Sequence, residues 1–308
     1  MKAFFWKLNF LVLILMASFH SAQARPLLSI PTPTCDQIVV HGVTASYCIY
    51  VHPNQDVNPN LLYFFHGAGG TPRQWDQESQ GVSAQDLYYY WGGGLFEQSR
   101  VPPTVISISF GPYWQFSDWD SGNGVPLMRD IFVNELMPLL ETKVAFHSGQ
   151  RFAAGTSMGG MNSIYLWLRS GKLFTKIAAL CPSLLDISPY SDSTQLQSYA
   201  ESTPGATVSG VSVVANILKT IFPTPDSWSN NQPKLYLNSS LSPSTLSDSF
   251  VIYSDSDELG LGPAVTKFVN LAQSGSYPLS LEETGETKHC RNIFTQELAD
   301  YLVPPLGN

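Results

Sequence analysis

Gly155-Thr156-Ser157-Met158-Gly159-Gly160 crowds three glycines around one serine, directly after the short apolar run Phe152-Ala153-Ala154. Gly-x-Ser-x-Gly between a strand and a helix is the sequence form of a sharp turn that lifts a serine hydroxyl above a sheet. Residues two away from the serine must lack bulk if strand and helix are to pack closely. The helix behind the serine offers unpaired N–H groups and its positive dipole end to an anion. The competing reading is a flexible loop that happens to contain serine. Placement between an extended and a helical segment argues against it, and Ser157 is the candidate nucleophile.

A serine hydroxyl needs a base to take its proton. Of six histidines, His20 lies in the leader described below, and His41 and His52 lie in an N-terminal hairpin region. His147 precedes the strand before Ser157, at the wrong end of a sheet, and His66 opens a glycine-rich loop. His289 lies after the last extended segment and before the last helix, in the chain order Ser, Asp, His. It is the candidate general base. The acid that orients it is sought after Phe250-Val251-Ile252-Tyr253, where Asp255, Asp257 and Glu258 share one loop. Asp257 is preferred because it stands far enough out to reach back over the sheet. Asp255 is the alternative acid, and Glu258 is expected in solvent. An oxyanion needs two fixed N–H donors. Met158, next after the serine, supplies one, and Ala68 in His66-Gly67-Ala68-Gly69-Gly70 the other.

These groups need a scaffold, and strands alternating with helices supply one. Residues 38–43 and 47–51 read as a strand pair, and 61–65, 105–110, 151–154, 176–181, 249–253 and 277–281 as further extended runs. Helical spacing marks 129–144, 161–168, 211–221, 262–272 and 292–302, with Pro138 expected to kink the first or mark an early turn. The pattern predicts an α/β fold: a mostly parallel sheet with helices on both faces and an antiparallel pair at the start. Residues 182–248, rich in Ser, Pro and Thr, read as a cap-like insertion over the carboxyl edge of the strands. Ligands of such sheets sit at that edge, where His66–Gly70, Ser157, Asp255/Asp257 and His289 all fall.

The chain has 308 residues, 44% of them hydrophobic and 13% charged, with a net charge of −8. The acidic balance argues against nucleic acid or anionic lipid as an electrostatic partner. Lys2 and Lys7, the apolar stretch 8–16 broken by Asn9, and Ala22-Gln23-Ala24 form the pattern of a secretory leader over residues 1–24. That stretch falls short of the about 20 residues a membrane span needs, so residues 25–308 are expected as one exported, secreted or periplasmic, domain without an integral span. Export makes disulfides of the four cysteines plausible. Of the three possible pairings, Cys35–Cys48 with Cys181–Cys290 is preferred.

Phe64-Phe65-His66-Gly67, Glu135-Leu136-Met137-Pro138, Gly155-Thr156-Ser157-Met158-Gly159-Gly160-Met161, Asp257 and His289 together resemble the esterase D-like branch of the α/β-hydrolases. Secreted feruloyl and acetylxylan esterases, S-formylglutathione hydrolases and mycolyltransferases belong to that branch. The resemblance spans most of residues 45–303 and implies a serine carboxylesterase that needs no metal or other cofactor. In tannase-like esterases a cysteine just before the serine is bonded to one just after the histidine. Here Cys290 follows His289 but Thr156 precedes Ser157, and Cys181 is the neighbouring substitute.

The expected substrate is a small-molecule, glycan or lipid ester. Tyr88-Tyr89-Tyr90-Trp91 and the aromatics of 110–119 are expected to border the site and to suit a phenolic acyl group, sugar or lipid chain. Asp118 and Asp120 beside Trp119 disfavour a lipase groove. An acyltransferase, a lysophospholipase or lipase-like enzyme, and a non-catalytic binding protein on the same scaffold are the alternatives.

Overall fold

The structure is a computed structural model and describes residues 28–53, 58–77, 84–92, 100–119, 126–144, 148–237 and 241–304. The leader assigned to residues 1–24, His147 and Asp120 lie outside them. Eight strands form one sheet in the order β1-β2-β4-β3-β5-β6-β7-β8. β1 (Thr34–Val40) and β2 (Val43–Tyr50) are an antiparallel hairpin. Its two-residue turn, His41-Gly42, has positive φ at both positions, the backbone a tight hairpin needs. β2 runs antiparallel to β4 (Thr104–Ser109). β3 (Leu61–Phe65), β5 (Arg151–Thr156), β6 (Lys176–Leu180), β7 (Asp248–Tyr253) and β8 (Leu279–Glu283) complete a parallel array with β4.

Two apolar layers sandwich the sheet because alternate strand residues face opposite ways. In β3, Leu61, Tyr63 and Phe65 enter one core and Leu62 and Phe64 the other. Helix α1 (Gln85–Trp91) and helix α8 (Gln296–Leu302) cover the second of these faces. The opposite face is covered by α2 (128–143), α3 (Met158–Arg169), α5 (Val208–Ile221) and α7 (Gly262–Ser274). Helix α2 is a run of three segments, Met128–Ile131, Phe132–Leu136 and Met137–Lys143. The middle segment is a π turn, in which Met137 N–H bonds Phe132 O. Pro138 has no N–H and its ring crowds the carbonyl four residues back, so the chain widens before it.

The strand order turns around β3: the chain passes from β3 to β4 on one side, then crosses to β5 on the other. Loops leaving β3 and β5 therefore meet at the carboxyl edge, where a ligand crevice opens.

Between β6 and β7 the structure contains more helix than the single patch expected from the sequence. Besides α5 there are α4 (Ser193–Ser202) and α6 (Pro225–Ser229). α4 buries only Leu196 and Ala200, so its hydrophobic period is faint. Its start is a capping box of Asp192 and Gln195, which was legible. No helix among the described residues is long and apolar enough to cross a membrane.

Candidate active site

Ser157 occupies the turn between β5 and α3 with φ 54° and ψ −112°, a strained backbone for a residue with a side chain. Its surroundings enforce that turn. A Cβ on Gly155 would lie 2.3 Å from Gly159 O, and one on Gly159 would lie 2.0 Å from Phe65 O. Neither glycine can be exchanged without moving the strand or the helix. Ser157 N–H bonds Leu180 O at 2.9 Å, fixing the turn to the end of β6.

His289 comes from the loop between β8 and α8. Its Nε2 lies 2.9 Å from Ser157 Oγ, and its Nδ1 lies 2.6 Å from Asp257 Oδ2. Asp257 is buried at 4% exposure, and its other oxygen accepts Leu259 N–H at 2.7 Å. Glu258 N–H bonds Thr287 O at 3.0 Å, so the loops carrying the acid and the histidine are fastened together. Asp255, the alternative acid, is exposed and accepts from Ser256 Oγ, away from the histidine. Glu258 is partly exposed and pairs with Lys288.

The glycine-rich loop after β3 lies against Ser157. Gly67 N–H donates to Gln74 Oε1 at 2.7 Å, Gly69 N–H to Pro112 O at 2.8 Å and Gly70 N–H to Gly67 O at 3.0 Å. Within Gly67–Gly70, Ala68 N–H is left without an acceptor among the described residues, and Ala68 lines the cleft with Ser157. Met158 N–H opens the first turn of α3, where helix N–H groups have no partner within the helix. Gln74 was not singled out from the sequence. Thr71-Pro72, a side-chain cap followed by proline, announces the short helix that carries it.

Cys35 is bonded to Cys48 across the first hairpin, and Cys181 to Cys290. Cys181 directly follows β6, and Cys290 follows His289, so the second bond ties the histidine loop to the sheet. Cys181, Cys290 and His289 form a group with metal-ligand spacing. With the two sulfurs bonded to each other and both ring nitrogens of His289 engaged, no free donor set is left there.

The cleft above Ser157 has a volume of about 810 Å³. Val213 and Ile217 of α5, together with Leu259, make an apolar wall, while Gln74, Lys288, Arg291 and Asn292 make a polar one. The aromatic border expected from the sequence is absent among the described residues. Tyr88 and Trp91 lie on α1 and are buried, with Trp91 Nε1 bonded to Ala299 O at 3.1 Å. Trp114 and Phe116 are buried too, where Phe116 stacks on Phe132. Residues 85–91 form an amphipathic helix, so the rings at 88 and 91 face the core. Asp118 is held by Arg129 and Arg169.

Residues 107–249 match the model of the family described as "Putative esterase". No curated protein matches the chain in sequence. Among solved structures, a ferulic acid esterase is 16% identical with a TM-score of 0.55, covering 90% of this chain and 97% of its own. An S-formylglutathione hydrolase from Agrobacterium tumefaciens is 13% identical with a TM-score of 0.56, covering 89% and 97%. A fungal esterase from Rhizomucor miehei is 15% identical with a TM-score of 0.54, covering 87% and 80%. At these identities the structures speak for the fold alone, and the family match covers a little under half of the chain. The chain has the α/β-hydrolase fold, and residues 107–249, which include Ser157, are similar to the esterase family.

Proposed function

We propose that this protein is an exported serine carboxylesterase that cleaves small to medium acyl esters through an acyl-enzyme. The observation that carries the reading is the unbroken hydrogen-bonded line from Ser157 Oγ through His289 to Asp257. His289 Nε2 takes the serine proton as Oγ attacks the ester carbonyl, and Asp257 holds the imidazole and balances its positive form. Ala68 and Met158 N–H groups receive the developing oxyanion. His289 then protonates the departing alcohol. Water, deprotonated by the same nitrogen, releases the acid from Ser157.

The apolar wall of Val213, Ile217 and Leu259 supports an aliphatic acyl group over a feruloyl ring, because no aromatic side chain among the described residues lines the cleft. Helices α4 to α6 would act as the cap of one domain, 25–308, supplying that wall through α5. The basic-apolar pattern of residues 1–24 and two disulfides support an oxidising, extracytoplasmic location.

The test is hydrolysis of p-nitrophenyl acetate and butyrate together with labelling by a fluorophosphonate, read by intact mass. Wild type should hydrolyse both and gain one adduct. Ser157→Ala and His289→Ala, folded by circular dichroism, should do neither. A Ser157→Ala variant with wild-type turnover would end the reading.

A further inference from the structure

Given Ala68 N–H as an oxyanion donor under the function just proposed, we propose that Trp114 is a positioning residue that fixes the tautomer of His66, and through it the peptide plane carrying that donor. His66 is fully buried, and its ring meets three polar partners. Nδ1 lies 2.6 Å from Gly67 O and Nε2 lies 2.7 Å from Ser109 Oγ. Trp114 Nε1 lies 3.3 Å from the same Nε2.

A carbonyl oxygen only accepts, so Nδ1 carries the proton. An indole N–H only donates, so Nε2 must be bare. Ser109 imposes no such choice, because its hydroxyl can accept from Nε2 or donate to it, with Gly111 O at 3.1 Å as another acceptor. Burial pushes the His66 pKa down to about 4, which keeps the ring neutral and makes the tautomer matter. Gly67 O and Trp114 Nε1–H thus select the same tautomer from opposite sides of the ring, where Ser109 alone would permit either.

Gly67 C=O and Ala68 N–H belong to one planar peptide unit and point to opposite sides of it. Gly67 O accepts from His66 Nδ1–H and from Gly70 N–H, which sets where Ala68 N–H points. Gly70 has no room for a side chain, since a Cβ there would lie 2.9 Å from His66 Nδ1. The same tryptophan reaches the other donor as well. Its backbone N–H meets Met158 Sδ at 3.4 Å. Asn162 of α3 donates to Trp114 O at 3.3 Å and accepts Phe116 N–H at 2.7 Å. Residues 114–116 thus brace both loops that present oxyanion donors.

Trp114→Phe removes the donor and keeps a ring. Benzothienylalanine at position 114, which has sulfur in place of the N–H, preserves the packing should phenylalanine destabilise the core. The readouts are kcat and KM for p-nitrophenyl butyrate, and the His66 tautomer by nitrogen NMR. The expectation is a kcat lower by about 10- to 100-fold with KM changed by less than about threefold, below the ceiling of about 10²–10³ for losing a whole donor. His66 should be protonated at Nδ1 in wild type and in Ser109→Ala, with an Nε2–H population appearing when position 114 lacks its N–H. Wild-type His66 protonated at Nε2, or a folded variant without the indole N–H but with wild-type kcat, overturns the proposal. Loss of Ser157-dependent hydrolysis as a premise would remove the esterase reading instead, and the tautomer measurement would then decide this one.

Discussion

Cys181 and Cys290 are joined across 109 residues of chain, and the bond ends one residue from the histidine that faces Ser157. Closing so long a loop restricts the unfolded chain by up to about 4 to 5 kcal/mol in the chain-entropy account. The same bond holds the His289 loop down. Cys181→Ser with Cys290→Ser should therefore lower both the melting temperature and kcat. Thermal melts and butyrate kinetics check this, and a melting temperature unchanged from wild type would sink it.

Contact, not loop membership, favours Asp257 over Asp255 as the proposed acid. Asp257→Asn leaves a hydrogen-bonding group of the same shape but favours the wrong imidazole tautomer, and kcat should fall by about 10⁴. Asp255→Asn, on the exposed side of the same loop, should stay within about twofold of wild type by comparison. Steady-state kinetics of the two variants side by side decide the matter, and the opposite ranking would exchange their roles.

Val213 is 53% exposed although apolar, and it faces the cleft with Ile217. Val213→Trp or Ile217→Trp should shorten the space for an acyl chain. A methylene in an apolar pocket is worth about 1–3 kcal/mol of discrimination. The ratio of hexanoate to acetate kcat/KM should drop by at least about tenfold on that scale. A chain-length profile that does not move would show that the acyl group binds elsewhere.

His66 links pH to stability. Its folded pKa of about 4 lies below the ordinary 6.5, because burial disfavours the charged ring. Between these values the unfolded chain binds more protons than the folded one, so this contribution is complete above pH 6.5 and is lost as pH falls toward 4. Its size is on the order of 3 kcal/mol. Urea unfolding from pH 7 to 4 should show declining stability in wild type, with a shallower decline in His66→Gln. Equal slopes would contradict the assignment.

The nucleophile turn was readable because its constraints are local. Gly155 is fixed by Gly159 four residues on, and only the crossing of Phe65 at Gly159 and the bond from Ser157 to Leu180 reach further along the chain. The mostly parallel sheet and its antiparallel start were readable from period and composition, whereas the strand order was not. The aromatic run at 88–91 misled, since ring content says nothing about which way a helix turns its face. Tyr88 packs on Trp75, and Trp75 in turn on Phe294 at the far end of the chain, contacts that ring content does not reveal. Val213 and Ile217 were hidden for the opposite reason. They share an apolar helix with core residues Val214 and Leu218, and only the packed geometry separates the buried stripe from its flank.

β6 places no side chain in the reaction, yet both partners of the proton transfer are fastened to its end. Ser157 hangs from Leu180 O through its N–H, and His289 is held through the bond from Cys290 to Cys181, the very next residue. When the sheet edge breathes, nucleophile and base ride together on a shared mount. On the proposed roles, a displacement of that strand end moves both groups alike, so the gap between Ser157 and His289 is set by one short piece of backbone rather than by the separate loops that carry them.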